Sequence, residues 1–145
     1  MIQAKDAESV TGIWIYGAAG VGKSRYARDV YGKDCYLKGC NKWWDGYRNQ
    51  KYVIIDDFDK GHSVLSHYIK IWSDRYAFLA ESKGSAMNIR PRHVIVTSQY
   101  CIEDIWLDVE TRDALRRRFK VIEIKGDGSH NVNLPSGYVE EENTQ

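Results

Sequence analysis

The 145-residue chain has few cysteines, no surplus of charge and no long apolar run, and each shortage removes a class of function. Cys35, Cys40 and Cys101 are an odd number with no C-x-x-C pair, which suits reduced thiols better than a disulfide scaffold. His62, His67, His93 and His130 are scattered without metal-ligand spacing, so surface or packing roles are expected of them. A formal net charge of +1 gives no bulk argument for a nucleic-acid partner, so any such contact must come from local patches. Such contrast exists between Arg116-Arg117-Arg118 and Glu140-Glu141-Glu142. No run approaches the ~20 apolar residues of a spanning helix, and no signal-peptide pattern opens the chain. The expectation is a soluble, intracellular protein with no membrane partner, one domain in size and long enough to bury a core.

What is present is a glycine loop, Gly17-Ala18-Ala19-Gly20-Val21-Gly22-Lys23-Ser24, which fits G-x-x-x-x-G-K-[ST] without deviation. It follows the apolar run Ile13-Trp14-Ile15-Tyr16 and precedes a segment with Tyr26, Ala27, Val30 and Tyr31 at helical spacing, which Gly32 is placed to end. In that strand–loop–helix context the loop's backbone N–H groups are expected to cradle phosphate, helped by the positive end of the helix. Lys23 is expected to reach the β- and γ-phosphates, and the Ser24 hydroxyl to ligate Mg²⁺.

Strands are expected at residues 35–37, at Tyr52-Val53-Ile54-Ile55 and His93-Val94-Ile95-Val96-Thr97, and at Val121-Ile122-Glu123-Ile124. Val64, Leu65, Tyr68, Ile69 and Trp72 mark one face of a helix, and residues 77–90 suggest a hairpin around Ser82-Lys83-Gly84-Ser85. A further helix should run from Ile102 to about Arg117, with a break near Asp108. This alternation implies an α/β fold, a mostly parallel five-stranded sheet flanked by helices with an inserted β-hairpin. Residues 1–11 read as a linker remnant, 12–125 as the folded domain and 126–145 as a loose polar tail.

Asp56-Asp57 ends a buried strand, where open α/β sheets bind ligands. Asp56 is the candidate to hold Mg²⁺, and Asp57 to orient or deprotonate an attacking water. On the next strand Gln99 is the first candidate to hydrogen-bond the γ-phosphate and that water, with Thr97 and Ser98 behind it. The arginines at 116–118 either complement a helix dipole or supply an arginine finger to a neighbouring subunit, Arg117 ahead of Arg118. Lys83, on the hairpin tip, is either a solvated turn residue or a cation that follows a phosphate backbone. For Trp43 and Trp44 packing is favoured over base stacking.

These residues, in this order, resemble the superfamily 3 helicase domain of replication-initiator (Rep) proteins from circoviruses and related circular single-stranded DNA viruses, over roughly residues 12–125. Residues 17–24 match Walker A, Val53-Ile54-Ile55-Asp56-Asp57-Phe58 matches Walker B, and Glu81-Ser82-Lys83-Gly84 looks like the B-prime hairpin that contacts DNA. Asn41-Lys42-Trp43-Trp44-Asp45-Gly46-Tyr47 is the most specific piece, and the three arginines lie where the family places its finger. The family's motif C usually ends in Asn, and here Gln99 keeps the amide on a side chain one methylene longer. The His-hydrophobe-His motif of the family's nickase domain does not precede residue 12, so the resemblance implies a helicase domain by itself.

The resemblance implies a P-loop NTPase of AAA+ type. It would bind ATP and Mg²⁺, assemble as a homo-oligomeric ring, a hexamer by that resemblance, and move along single-stranded DNA during rolling-circle replication in the host nucleus. An ATPase that remodels RNA or protein, and a nucleotide-gated assembly module with weak hydrolysis, stay open beside it.

Overall fold

The computed structural model describes residues 4–138. Its central strand, β1 (Gly12–Tyr16), is buried on both faces, as an unbroken apolar run requires. Parallel to it on one side is β6 (His93–Ser98), followed outward by β3 (Tyr52–Phe58) and β2 (Cys35–Lys38). On its other side lies β7 (Phe119–Ile124), also parallel. Alternation along the strands divides the core in two. Ile13, Ile15, Ile54, Ile95 and Ile122 pack beneath Ala27 of helix α1 (Lys23–Tyr31). Trp14, Val53, Ile55, Val94 and Val96 point the other way, towards Ile69 and Trp72 of α2 (Ser66–Ser73) and Leu115 of α4 (Val109–Arg116). Trp14 is fully buried and lies edge-on to Phe58, Trp106 and Phe119. Its Nε1 donates to the Tyr100 carbonyl at 2.9 Å, so the indole is buried without an orphaned donor.

The expected helical break is present. A short α3 (Ile102–Ile105) ends at the buried Trp106, and Asp108 starts α4 by accepting the Thr111 N–H at 2.9 Å. The expected hairpin is β4 (Phe78–Ser82) and β5 (Ser85–Ile89), turning at Lys83 and Gly84.

One expectation is corrected. The sheet has six strands rather than five, because β8 (His130–Asn133) pairs antiparallel with β7 inside the stretch expected to be a loose tail. All its residues are exposed, so it is held by backbone pairing and carries no apolar alternation that could have announced it. Beyond β8, Ser136 and Gly137 donate to the Arg116 and Arg117 carbonyls and close the end of α4. The acidic cluster at 140–142 lies outside the described residues. At the other end, residues 4–11 run along the domain: Ala4 donates to Asn88, Ala7 to Arg75 and Thr11 to Ser73.

Lys38 closes β2 and is only 3% exposed, an unusual place for an ammonium group. Its Nζ donates to the Asn41 and Trp43 carbonyls at 2.5 and 2.6 Å and lies 4.6 Å from the Trp72 ring centroid. Burial pulls its pKa down to about 8. In the unfolded chain a lysine titrates near 10.4, so between these values the unfolded state binds more protons and stability rises with pH. Urea unfolding from pH 7.5 to 10 should therefore show the parent gaining on Lys38→Met, by up to about 3 kcal/mol. A difference that stays flat with pH would contradict this placement of the ammonium.

Candidate functional site

The loop after β1 begins at Gly17, where a Cβ would meet the Ile124 carbonyl oxygen at 2.5 Å. Gly20 and Gly22 have φ of 84° and 93°, and no atom lies within 4 Å of where their Cβ atoms would be. The glycines thus shape a left-handed loop around open space. Gly22 is also the N-cap of α1, and no side chain caps the helix, which leaves its first-turn N–H groups for an anion. Lys23 is 8% exposed and folds back on the loop, donating to the Gly17 and Ala18 carbonyls at 2.8 and 2.9 Å. Burial lowers its pKa, and the Asp57 carboxylate works in the opposite direction.

The strand order brings the ends of β3, β6 and β1 side by side. There the Asp56 carboxylate collects three partners. Its Oδ1 accepts from the Ser24 hydroxyl at 3.1 Å and the Thr97 hydroxyl at 2.8 Å, and its Oδ2 pairs with the Arg28 guanidinium at 2.6 Å. Thr97 Oγ1 in turn accepts the Asp57 N–H at 3.1 Å. Asp57 stands at φ 58°, in the left-handed region, where the β3–β6 register shifts between Ile55 and Phe58. That conformation is a strained one for a residue with a side chain, though Asp tolerates it better than most. Set in this break of the β3–β6 pairing, Asp57 lines a cavity of about 190 Å³ together with Phe58, Asp59, Gln99 and Tyr100.

The donor set fits a phosphate-bound Mg²⁺, which takes a carboxylate, a hydroxyl, waters and substrate oxygens rather than an all-protein cage. Among the described residues no group of three or more His, Cys, Asp or Glu side chains forms such a cage. The open loop beside it fits a polyphosphate.

The remaining predicted residues lie elsewhere. Lys83 is exposed at the hairpin tip, and its N–H donates to Asp45 Oδ1 at 2.8 Å. Trp44 is 3% exposed against Tyr36, Tyr47, Trp72 and Phe78, a packing role as favoured from the sequence. Trp43 is half-buried, with Lys42 Nζ 4.6 Å from its ring centroid.

Two of the three arginines are held within the chain. Arg116 forms a two-point pair with Glu103, which lowers the Glu103 pKa and raises its own. Arg118 pairs with Asp74 at 3.1 Å and donates to the Ala114 carbonyl. Arg117 is exposed, and among the described residues its side chain forms no ion pair. All three precede β7, whose Phe119 is in register with Gly12 at the start of β1. Arg117 therefore stands at the opposite end of the strands from Gly17, about 15 Å away along β1.

Sequence reasoning ranked Thr97 below Gln99, but Thr97 is the residue that joins Asp56 to Asp57. Arg28 was missed. Its spacing of four from Ser24, which puts both on one face of α1, was the available signal.

A family model described as RNA helicase matches residues 13–100, an interval that holds the glycine loop, Asp56, Asp57, Lys83 and Gln99 but not Arg116, Arg117 or Arg118. The replication-associated protein of porcine circovirus 1 is 32% identical over 131 residues, covering 87% of this chain and 41% of that protein. That of pigeon circovirus is 40% identical over 99 residues, covering 68% and 30%. That of goose circovirus is 38% identical over 86 residues, covering 59% and 29%. The chain thus spans at most about two-fifths of the length of these relatives. Among solved structures, the apo A form of the NrS-1 C-terminal region superposes with a TM-score of 0.51 at 20% identity, over 83% of this chain and 30% of that one. At that identity the likeness concerns the fold alone.

Thr97→Val keeps the buried volume and removes the hydroxyl shared by Asp56 and Asp57. The expected loss is about 1–3 kcal/mol of stability, with roughly tenfold weaker binding of ADP in the presence of Mg²⁺ by calorimetry. Unchanged melting and unchanged affinity would contradict the role given to this hydroxyl.

Proposed function

The chain belongs to the RNA helicase family, and on that premise we propose that it is the ATP-hydrolysing motor of a viral replication protein, working as a homo-oligomeric ring, most simply a hexamer, on single-stranded DNA. The observation that carries this reading is the meeting of Ser24, Asp56 and Thr97 beside an open glycine loop. The circovirus relatives, all replication-associated proteins, support a role in replication, while the choice of DNA and of the host nucleus rests on the motif resemblance.

In this reading the backbone of residues 17–24 binds the phosphates of ATP, and Lys23 exchanges its two carbonyl partners for phosphate oxygens. Ser24 and Asp56 hold Mg²⁺, which when bound neutralises charge on the β- and γ-phosphates. Asp57, which lines the cavity, accepts the proton of the attacking water, and Gln99 in the same cavity orients that water through its amide. Arg117 is the finger, because it stands too far along the sheet to serve its own loop and is not tied down as Arg118 is. Its contribution would be about 10³–10⁵ in rate. Arg118, second candidate for that role, instead steadies the end of α4 against Asp74. Lys83 meets the nucleic-acid backbone as a point charge, which carries force without reading sequence.

The family's description favours a second reading, in which the strand is RNA. A salt titration of fluorescence anisotropy with matched DNA and RNA oligomers tests both. The expected outcome is tighter DNA binding, with Lys83→Ala flattening the log–log salt slope by about 0.7 for each engaged subunit. Tighter RNA binding would favour the second reading, and a slope unchanged by the substitution would remove the hairpin from the nucleic-acid path.

A further inference from the structure

Arg28 is one helical turn beyond Ser24 on the same face of α1, and its guanidinium reaches the carboxylate that the proposed function assigns to Mg²⁺. Both oxygens of Asp56 are engaged: Ser24 and Thr97 hydroxyls are on Oδ1, and Arg28 is on Oδ2 at 2.6 Å. The second guanidinium nitrogen lies 3.4 Å from the Ser24 carbonyl, which keeps the fork close to the loop. A divalent ion taken up by the Ser24 hydroxyl and Asp56 would enter beside a fixed positive charge that already uses half of its carboxylate. Like charges at such a separation repel, and the guanidinium has no acceptor oxygen with which to join the coordination.

The Arg28 side chain is 44% exposed while that of Asp56 is 21% exposed and is also held by the Ser24 and Thr97 hydroxyls, so of the two the arginine has the freer path to solvent. We propose that Arg28 is a cationic stand-in for the metal. It satisfies Asp56 in the metal-free protein, has to release it for the ion to bind, and so sets how tightly the site takes its metal. The proposal rests on the assignment of Asp56 as metal ligand. The consequence is a lowered apparent affinity, since only the fraction of molecules with Arg28 released is competent to bind.

The test is a titration of the full chain with Mn²⁺ alone, with free ion read by electron paramagnetic resonance. Arg28→Gln should bind Mn²⁺ about five- to tenfold more tightly than the parent. Arg28→Lys, which keeps the charge but loses the fork, should fall between them and serves if the first variant is poorly folded. Arg25→Gln removes the same charge one turn away, from a side chain that is 87% exposed and paired with Asp29, and should stay within about twofold of the parent. Mn²⁺ affinity in Arg28→Gln equal to or weaker than the parent's overturns the proposal, as does an equal gain from Arg25→Gln. Adding Asp56→Asn to Arg28→Gln should abolish the gain. If binding instead survives without Asp56, the metal assignment under the proposed function fails, which is a different result from failure of the Arg28 gate.

Discussion

The Asp56 carboxylate is the point at which three segments distant in sequence must agree, and the shape of the site follows from that agreement. Ser24 arrives on the helix after the glycine loop, Thr97 on the neighbouring strand, and Arg28 one turn further along α1. Each contact is modest by itself, since a net hydrogen bond is worth about 1 kcal/mol. Together they fix the height of the phosphate loop against β3 and, through Thr97, the place of Asp57 in the break of the β3–β6 pairing. Because β6 runs between β3 and β1, its Thr97 hydroxyl stands where it can bridge the Asp56 carboxylate and the Asp57 N–H.

A second set of contacts ties the aromatic loop to the hairpin. Lys38 holds that loop through two carbonyls, Trp44 fills the space between β2 and α2, and the Trp44 backbone N–H donates to the Glu81 carbonyl of β4. Asp45 then takes the N–H of Lys83 at the hairpin tip, while Cys40 at the loop's start lies 3.4 Å from the Asp56 carbonyl. The residues assigned to nucleotide and to nucleic acid are thus joined by one short stretch, 38–45, rather than by the sheet as a whole. That is the structural reason an aromatic loop with no chemistry of its own accompanies the phosphate loop.

Much of this was legible from the chain itself, and the parts that were not share a cause. The glycine loop and the apolar runs that lead to Asp56 and Gln99 are local patterns, so they can be located without neighbours. The break at Asp108 was readable because an N-cap residue interrupts the helical spacing. Thr97 looked like the last residue of a strand, since its value depends on which strand lies beside it. Arg28 and Lys38 went unremarked, since nothing in a short helix or strand announces a partner from another segment. β8 was invisible because an exposed edge strand has no apolar face to show. Among the arginines, the sequence could count three but could not tell that Glu103 and Asp74 hold two of them.

Under the proposed function the site is completed between subunits, because Arg117 precedes β7 and the phosphate loop follows β1, at opposite ends of adjacent parallel strands. The most direct measurement mixes two inactive proteins, Lys23→Ala and Arg117→Ala, and follows ATP hydrolysis with single-stranded DNA present. Random pairing should place an intact loop against an intact arginine at about a quarter of the interfaces, restoring roughly a quarter of the parent rate. A mixture that stays inactive, or an Arg117→Ala protein as active as the parent, would contradict it.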